Sequence, residues 1–133
     1  MEPMRDPGDS SGAQVSVAQS LSGGHCTPCQ GGIPALTAYE AASYLEQLPD
    51  WELTDDATWI RRAFHFPDFR TALTFVQRVA ELAETEGHHP QITFGWGFCT
   101  VALQTMKIRG LHLNDFILAA RVDDLLRPGA PSC

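Results

Sequence analysis

The run from Pro67 to Thr85, PDFRTALTFVQRVAELAET, constrains this chain more than any other segment. Phe69, Leu73, Val76, Ala80 and Ala83 recur at helical spacing, and Phe75, Val79 and Leu82 widen the apolar stripe. Pro67 and Asp68 open the helix and Gly87 is its expected stop. A helix apolar around more than half its circumference needs cover on more than one side. Its own sheet supplies one cover. A second subunit is the economical source of the other, so a homodimer or homotetramer is expected.

The flanking segments set the layers. Thr37 followed by Glu40 is a capping-box pair ahead of a helix over Ala38–Leu48, with Ala41, Tyr44, Leu45 and Leu48 on one face and Pro49 beyond. WELT and ATWIRRAFHF predict two strands around a turn at Asp55–Asp56. In the second, Ile60, Arg62, Phe64 and Phe66 share the better core face, with Arg62 as its exception and His65 on the opposite, solvent side. QITFGW and FCTVALQT predict two more strands, and HLNDFILAARVDDLL a last amphipathic helix with Phe116, Ile117, Ala120 and Leu125 inward. The order α-β-β-α-β-β-α implies an α+β fold: a four-stranded antiparallel sheet with three helices on one face. Residues 34–128 form the expected domain. Residues 1–33, rich in Gly, Ser, Pro and Gln, read as a flexible tail, or one that folds onto the domain, and 129–133 as a short C-terminal tail.

Composition narrows the function classes. A chain of 133 residues with 44% hydrophobic content fits one globular domain. No apolar run approaches the roughly 20 residues of a membrane span, and the N-terminus lacks a secretory pattern, so a cytoplasmic protein without a membrane partner is expected. A formal charge of −7 argues against a nucleic-acid partner, whose phosphates require Lys and Arg. Cys26 and Cys29 stand at C-x-x-C spacing, half of a tetrahedral metal site with no second half in the sequence. A redox pair would sit at a strand-to-helix junction, which this is not. No metal and no cofactor are expected.

Chemistry concentrates at TEGHHP, where His88 and His89 lie between a helix end and Pro90. Adjacent side chains point apart and make a poor chelate. Acid–base work suits imidazoles better, and Glu84, four residues before His88, could orient one. A purely structural corner is the third reading.

AETEGHHP, LPDWEL, FHFPDFRTALTFVQRVAELAE and RGLHLNDFILAARVDDL together resemble the pterin-4a-carbinolamine dehydratase family over residues 34–127. The resemblance implies the sheet-and-three-helix fold, a homodimer or homotetramer, and metal-free dehydration of a 4a-hydroxytetrahydropterin by three histidines. His88 and His89 match the first two as catalytic residues. Glu84 and Asp115 match the supporting carboxylates, and Trp96 completes the implied pocket. The third histidine follows a threonine in family members. Here Thr105 is followed by Met106, whose thioether carries no proton near neutrality. His112 stands where a Thr or Ser usually caps the last helix. It is expected at the surface, with return of an imidazole to the pocket as the alternative.

Three features are also similar to dehydratase-like Rubisco assembly factors of α-carboxysome bacteria: the C-x-x-C-x-G-G lead-in, Trp96 and the incomplete histidine set. Met106 carries most of that weight. It favours an assembly factor with Rubisco subunits as partner and carboxysome association, over a working dehydratase with a pterin substrate. A dimerisation-cofactor role for a transcription factor finds no support in these residues.

Overall fold

A computed structural model describes Leu21, residues 23–27 and residues 32–127. The elements are α1 (Ala38–Leu45), β1 (Glu52–Thr54), β2 (Trp59–His65), α2 (Phe69–Glu86), β3 (Gln91–Gly95), β4 (Phe98–Leu103), a 3-10 turn (Met106–Ile108) and α3 (Leu113–Asp124). The strands form one antiparallel sheet in the order β1-β2-β4-β3. This is the expected α+β architecture.

Local chemistry sets the element ends. The Thr37 hydroxyl accepts from Glu40 N–H at 3.1 Å while the Glu40 carboxylate accepts from Thr37 N–H at 2.9 Å, the reciprocal box that starts α1. α1 closes at Leu45, short of the expected Leu48, which is buried in the turn that follows. Asp68 caps α2 by accepting from Thr71 N–H at 2.8 Å, and hydrogen bonding from Thr71, its side chain first and its backbone second, holds the carboxyl below the usual range. Gly87 ends α2 at φ 68°, a left-handed conformation that glycine adopts without strain. Gly97, at φ 82°, does the same at the β3–β4 turn.

The helices cover one sheet face through Ile60 and Phe64 of β2 and Cys99, Val101 and Leu103 of β4. Arg62, the polar exception on that face, is accommodated rather than expelled. Its guanidinium donates to Asp123 at 2.7 Å and lies 4.4 Å from the Phe64 ring centre. Asp123 also accepts from the Trp51 indole at 3.0 Å. Burial raises the Asp123 carboxyl above its ordinary value even against these partners.

The phase of α2 corrects the sequence reading. Its buried line is Ala72, Phe75, Val79, Leu82 and Ala83, whereas Phe69 is 47% exposed and Ala80 lies outside. At 100° per residue this line is rotated by about 90° from the stripe centred on Phe69, Leu73 and Ala80. Phe75, Val79 and Leu82 are therefore covered by their own subunit. Phe69 instead packs at a tilt against Phe94, ring centres 5.5 Å apart.

α3 departs in the opposite direction. It was expected to bury one face, yet Asn114 through Ala120 and Val122 are all buried. Part of the cover comes from the N-terminal segment. Leu21 joins the core, and Gly24, Cys26 and Thr27 hydrogen-bond to Arg121 and Asn114. These residues follow the folded-back alternative rather than the flexible tail, because burying Leu21 and pairing Gly24 O, the Cys26 thiol and Thr27 N–H offsets their ordering entropy. Residues 1–20, 22, 28–31 and 128–133, including Cys29 and the 129–133 tail, lie outside the described residues.

Candidate functional site

Two loops meet beside the end of α2. Gly87, His88 and His89 come from the α2–β3 connection, and Gln104, Thr105, Met106 and Lys107 from the segment after β4. Together they line a cleft of about 380 Å³. Gly87 turns the chain out of the helix, with the N–H groups of Gly87 and His88 both donating to Ala83 O. The two following imidazoles therefore leave in different directions and find different carboxylates.

His88 Nε2 lies 2.6 Å from Asp115 Oδ1. Asp115 is fully buried and accepts twice more on its other oxygen, from the Thr105 hydroxyl at 2.8 Å and from His112 N–H at 3.0 Å. A buried carboxylate survives only when its lone pairs are occupied in this way. Asp115 therefore sits beneath the cleft as a fixed support, not on its lining. His89 Nε2 lies 2.5 Å from Glu84 Oε2, with both side chains more than half exposed. Glu84, spaced in sequence to meet His88, is paired with His89 instead.

An ionised carboxylate can only accept, so each Nε2 carries the hydrogen and each Nδ1 is left to exchange protons. The arrangement is two imidazole–carboxylate pairs at one cleft, suited to moving one proton each. Met106 lines the same cleft, 67% exposed, and brings a thioether. Trp96 does not join them. It lies just past the far end of β3, a five-residue strand about 17 Å long that follows Pro90, and is 72% exposed. His112 is at the start of α3, where its Nδ1 accepts from Asn114 N–H at 3.0 Å. That ring nitrogen does the work of the Thr or Ser hydroxyl it replaces, so His112 serves as a helix cap. His65 is exposed on the outer sheet face.

Of the C-x-x-C pair, Cys26 falls within the described residues. Burial first, then the charges of Glu86 and Asp115, push its thiol up to about 12. Its Sγ donates to Asn114 O at 3.6 Å. A thiol held protonated is neither a nucleophile nor a ready metal ligand. The residue missed from sequence is Asn114, whose importance depends on contacts with Thr27, 87 positions away.

The model of the pterin 4 alpha carbinolamine dehydratase family matches residues 34–125. The chain belongs to this family. A relative in Methylococcus capsulatus, named "Putative pterin-4-alpha-carbinolamine dehydratase", is 58% identical over 108 residues, covering 81% of this chain and 95% of its own. A relative of the same name in Azoarcus sp. is 55% identical over 113 residues, covering 85% and 97%. Among solved structures, a transcriptional coactivator/pterin dehydratase from Brucella melitensis aligns with a TM-score of 0.65 at 31% identity, over 68% of this chain and 97% of its own. A pterin dehydratase-like protein identified as a RuBisCO assembly factor in the alpha-carboxysome aligns at 0.50 and 27%, over 57% and 88%.

Proposed function

We propose that this dehydratase-family protein binds a 4a-hydroxytetrahydropterin in the His88–His89 cleft and dehydrates it slowly. The observation that carries this reading is the convergence of two imidazole–carboxylate pairs on one cleft. The cleft volume falls within the range of small-molecule sites. His88, whose tautomer and orientation are fixed by Asp115, takes the ring N–H proton on Nδ1. The carbon–oxygen bond at the carbinolamine carbon breaks, and the departing hydroxyl receives a proton from the Nδ1–H of protonated His89. Water leaves and a ring C=N bond remains, with one proton taken and one given. Met106 supplies no third proton carrier, and a missing acid–base group typically lowers a rate by about 10²–10⁴. Purified protein should turn over the carbinolamine measurably above buffer, and His88→Ala should remove that excess. No excess over buffer would reject this reading.

A second reading is a Rubisco assembly factor, with carboxysome association. Met106 and the likeness to the carboxysomal assembly factor favour it. It ranks behind the first because relatives above 50% identity carry dehydratase names. Assembly would require a shaped surface rather than proton carriers. Co-expression of the chain with Rubisco should then raise the yield of assembled enzyme, and the double variant His88→Asn, His89→Gln should raise it equally. A homodimer or homotetramer remains part of both readings, resting on the family resemblance and not on α2's apolar width.

A further inference from the structure

The C-terminal end of α2 and the N-terminal turn of α3 bear the two halves of the His88–Asp115 pair, and the segment Gly24–Thr27 is bonded to both. At the α2 end, Glu86 has a side chain only 2% exposed. It accepts from Cys26 N–H at 2.8 Å and from Arg121 Nη1 at 3.0 Å, and its Oε2 lies 3.0 Å from His25 Nδ1. At the α3 end, the Asn114 amide grips Thr27 on both sides. Its oxygen accepts from Thr27 N–H at 3.0 Å, and its nitrogen donates to Thr27 O at 2.8 Å. Arg121 adds a bond to Gly24 O at 3.2 Å. Glu86 lies two positions before His88, and Asn114 one position before Asp115.

We propose that Gly24–Thr27 is a strap that fixes the end of α2 against the start of α3, and that its anchors Glu86 and Asn114 are positioning residues for the His88–Asp115 pair. Neither anchor lines the cleft. Each acts through a residue one or two positions on in the chain, Asn114 through Asp115 and Glu86 through His88. A hydrogen bond of 2.6 Å between groups on separate elements tolerates little relative movement, since such bonds weaken steeply with misalignment. Packing of α2 on α3 through the core sets their spacing coarsely. The strap adds a cross-link at the one point where the site needs it. This holds whichever substrate or partner the cleft takes, so its failure is separable from that of the dehydratase reading.

The test reads the proton between His88 Nε2 and Asp115 by NMR of the full-length protein, together with amide exchange at Cys26 and Thr27. In Asn114→Ala and Glu86→Ala, the strap amides should exchange about tenfold faster or more. The His88 side-chain proton should broaden or vanish through exchange with water, while β2 and β4 amides stay protected. Glu86→Gln keeps an acceptor for Cys26 N–H and should restore most of the signal. Thr27→Pro deletes one strap donor from outside the domain. It should reproduce the Asn114→Ala effect at the Cys26 amide and the His88 proton even where that variant folds poorly. Freed strap amides beside an unchanged His88 proton would overturn the proposal, as would strap amides that stay protected in every variant.

Discussion

The two imidazole–carboxylate pairs use the same chemistry in opposite surroundings. His88 and Asp115 are 12% and 0% exposed, whereas His89 and Glu84 are 60% and 74% exposed. Asp115 is held by three donors from three stretches of chain. Glu84 is paired with one residue of the adjoining turn. One pair is part of how the domain is built, and the other rests on its surface. A catalytic cleft gains from both: a ring with fixed direction for one transfer, and a ring open to solvent for the other.

The largest effect should separate the pairs by stability. Asp115→Ala strands the Thr105 hydroxyl, His112 N–H and His88 in the interior, and should cost about 3–5 kcal/mol in urea unfolding. Glu84→Ala removes an exposed partner and should cost less than about 1 kcal/mol. Similar losses from both would break the comparison.

Activity should not follow that division. His88→Ala and His89→Ala should each lower dehydration by about 10²–10⁴, because each ring moves its own proton. Full activity in His89→Ala would reduce the site to one working pair. Salt should divide the pairs again, since about 1 M salt shortens the screening length to about 3 Å and reaches exposed charges far more than buried ones. The Glu84→Ala effect on stability should fade at high salt and the Asp115→Ala effect should persist.

Much of this was legible in sequence, and the failures have physical causes. The capping box at Thr37, the glycine stop at 87 and the alternation of Ile60, Phe64 and Phe66 are local, and the folded chain keeps them. The phase of α2 was not legible, because two apolar lines overlap on that helix and periodicity does not say which faces the sheet. Glu84 was matched to His88 by helical spacing, yet the helix ends at Gly87, where a left-handed turn sends His88 toward α3. A tail folded onto the domain was legible as an alternative, but the partners of the strap were not. Its bonds join Thr27 to Asn114 and Cys26 to Glu86, and its composition resembles a tail.

Smaller effects should appear at the strap. Burial works to raise the Glu86 carboxyl, but the bonds from Cys26 and His25 and the charge of Arg121 outweigh it and lower it on balance. A depressed folded value means the stabilisation is present above the ordinary glutamate value near about 4.3, and is lost as pH falls through the folded one. Strap amides should thus stay protected from neutrality down to about pH 5 and open only in stronger acid. Opening between pH 7 and 5 would show that Glu86 does not govern the strap. Cys26 should also be slow to alkylate at pH 8, where a thiol near 12 is ionised to about one part in 10⁴. Labelling as fast as in the unfolded chain would show the thiol undocked.

The central claim is that the cleft is a dehydratase site short of one proton carrier, and Met106→His tests it most directly. Steady-state dehydration of the carbinolamine by wild type and variant should show kcat rising by about 10²-fold or more, with the fold unchanged. Met106 already lines the cleft and is exposed, so the new imidazole needs no rearrangement of the core. A folded variant no faster than wild type would contradict the account.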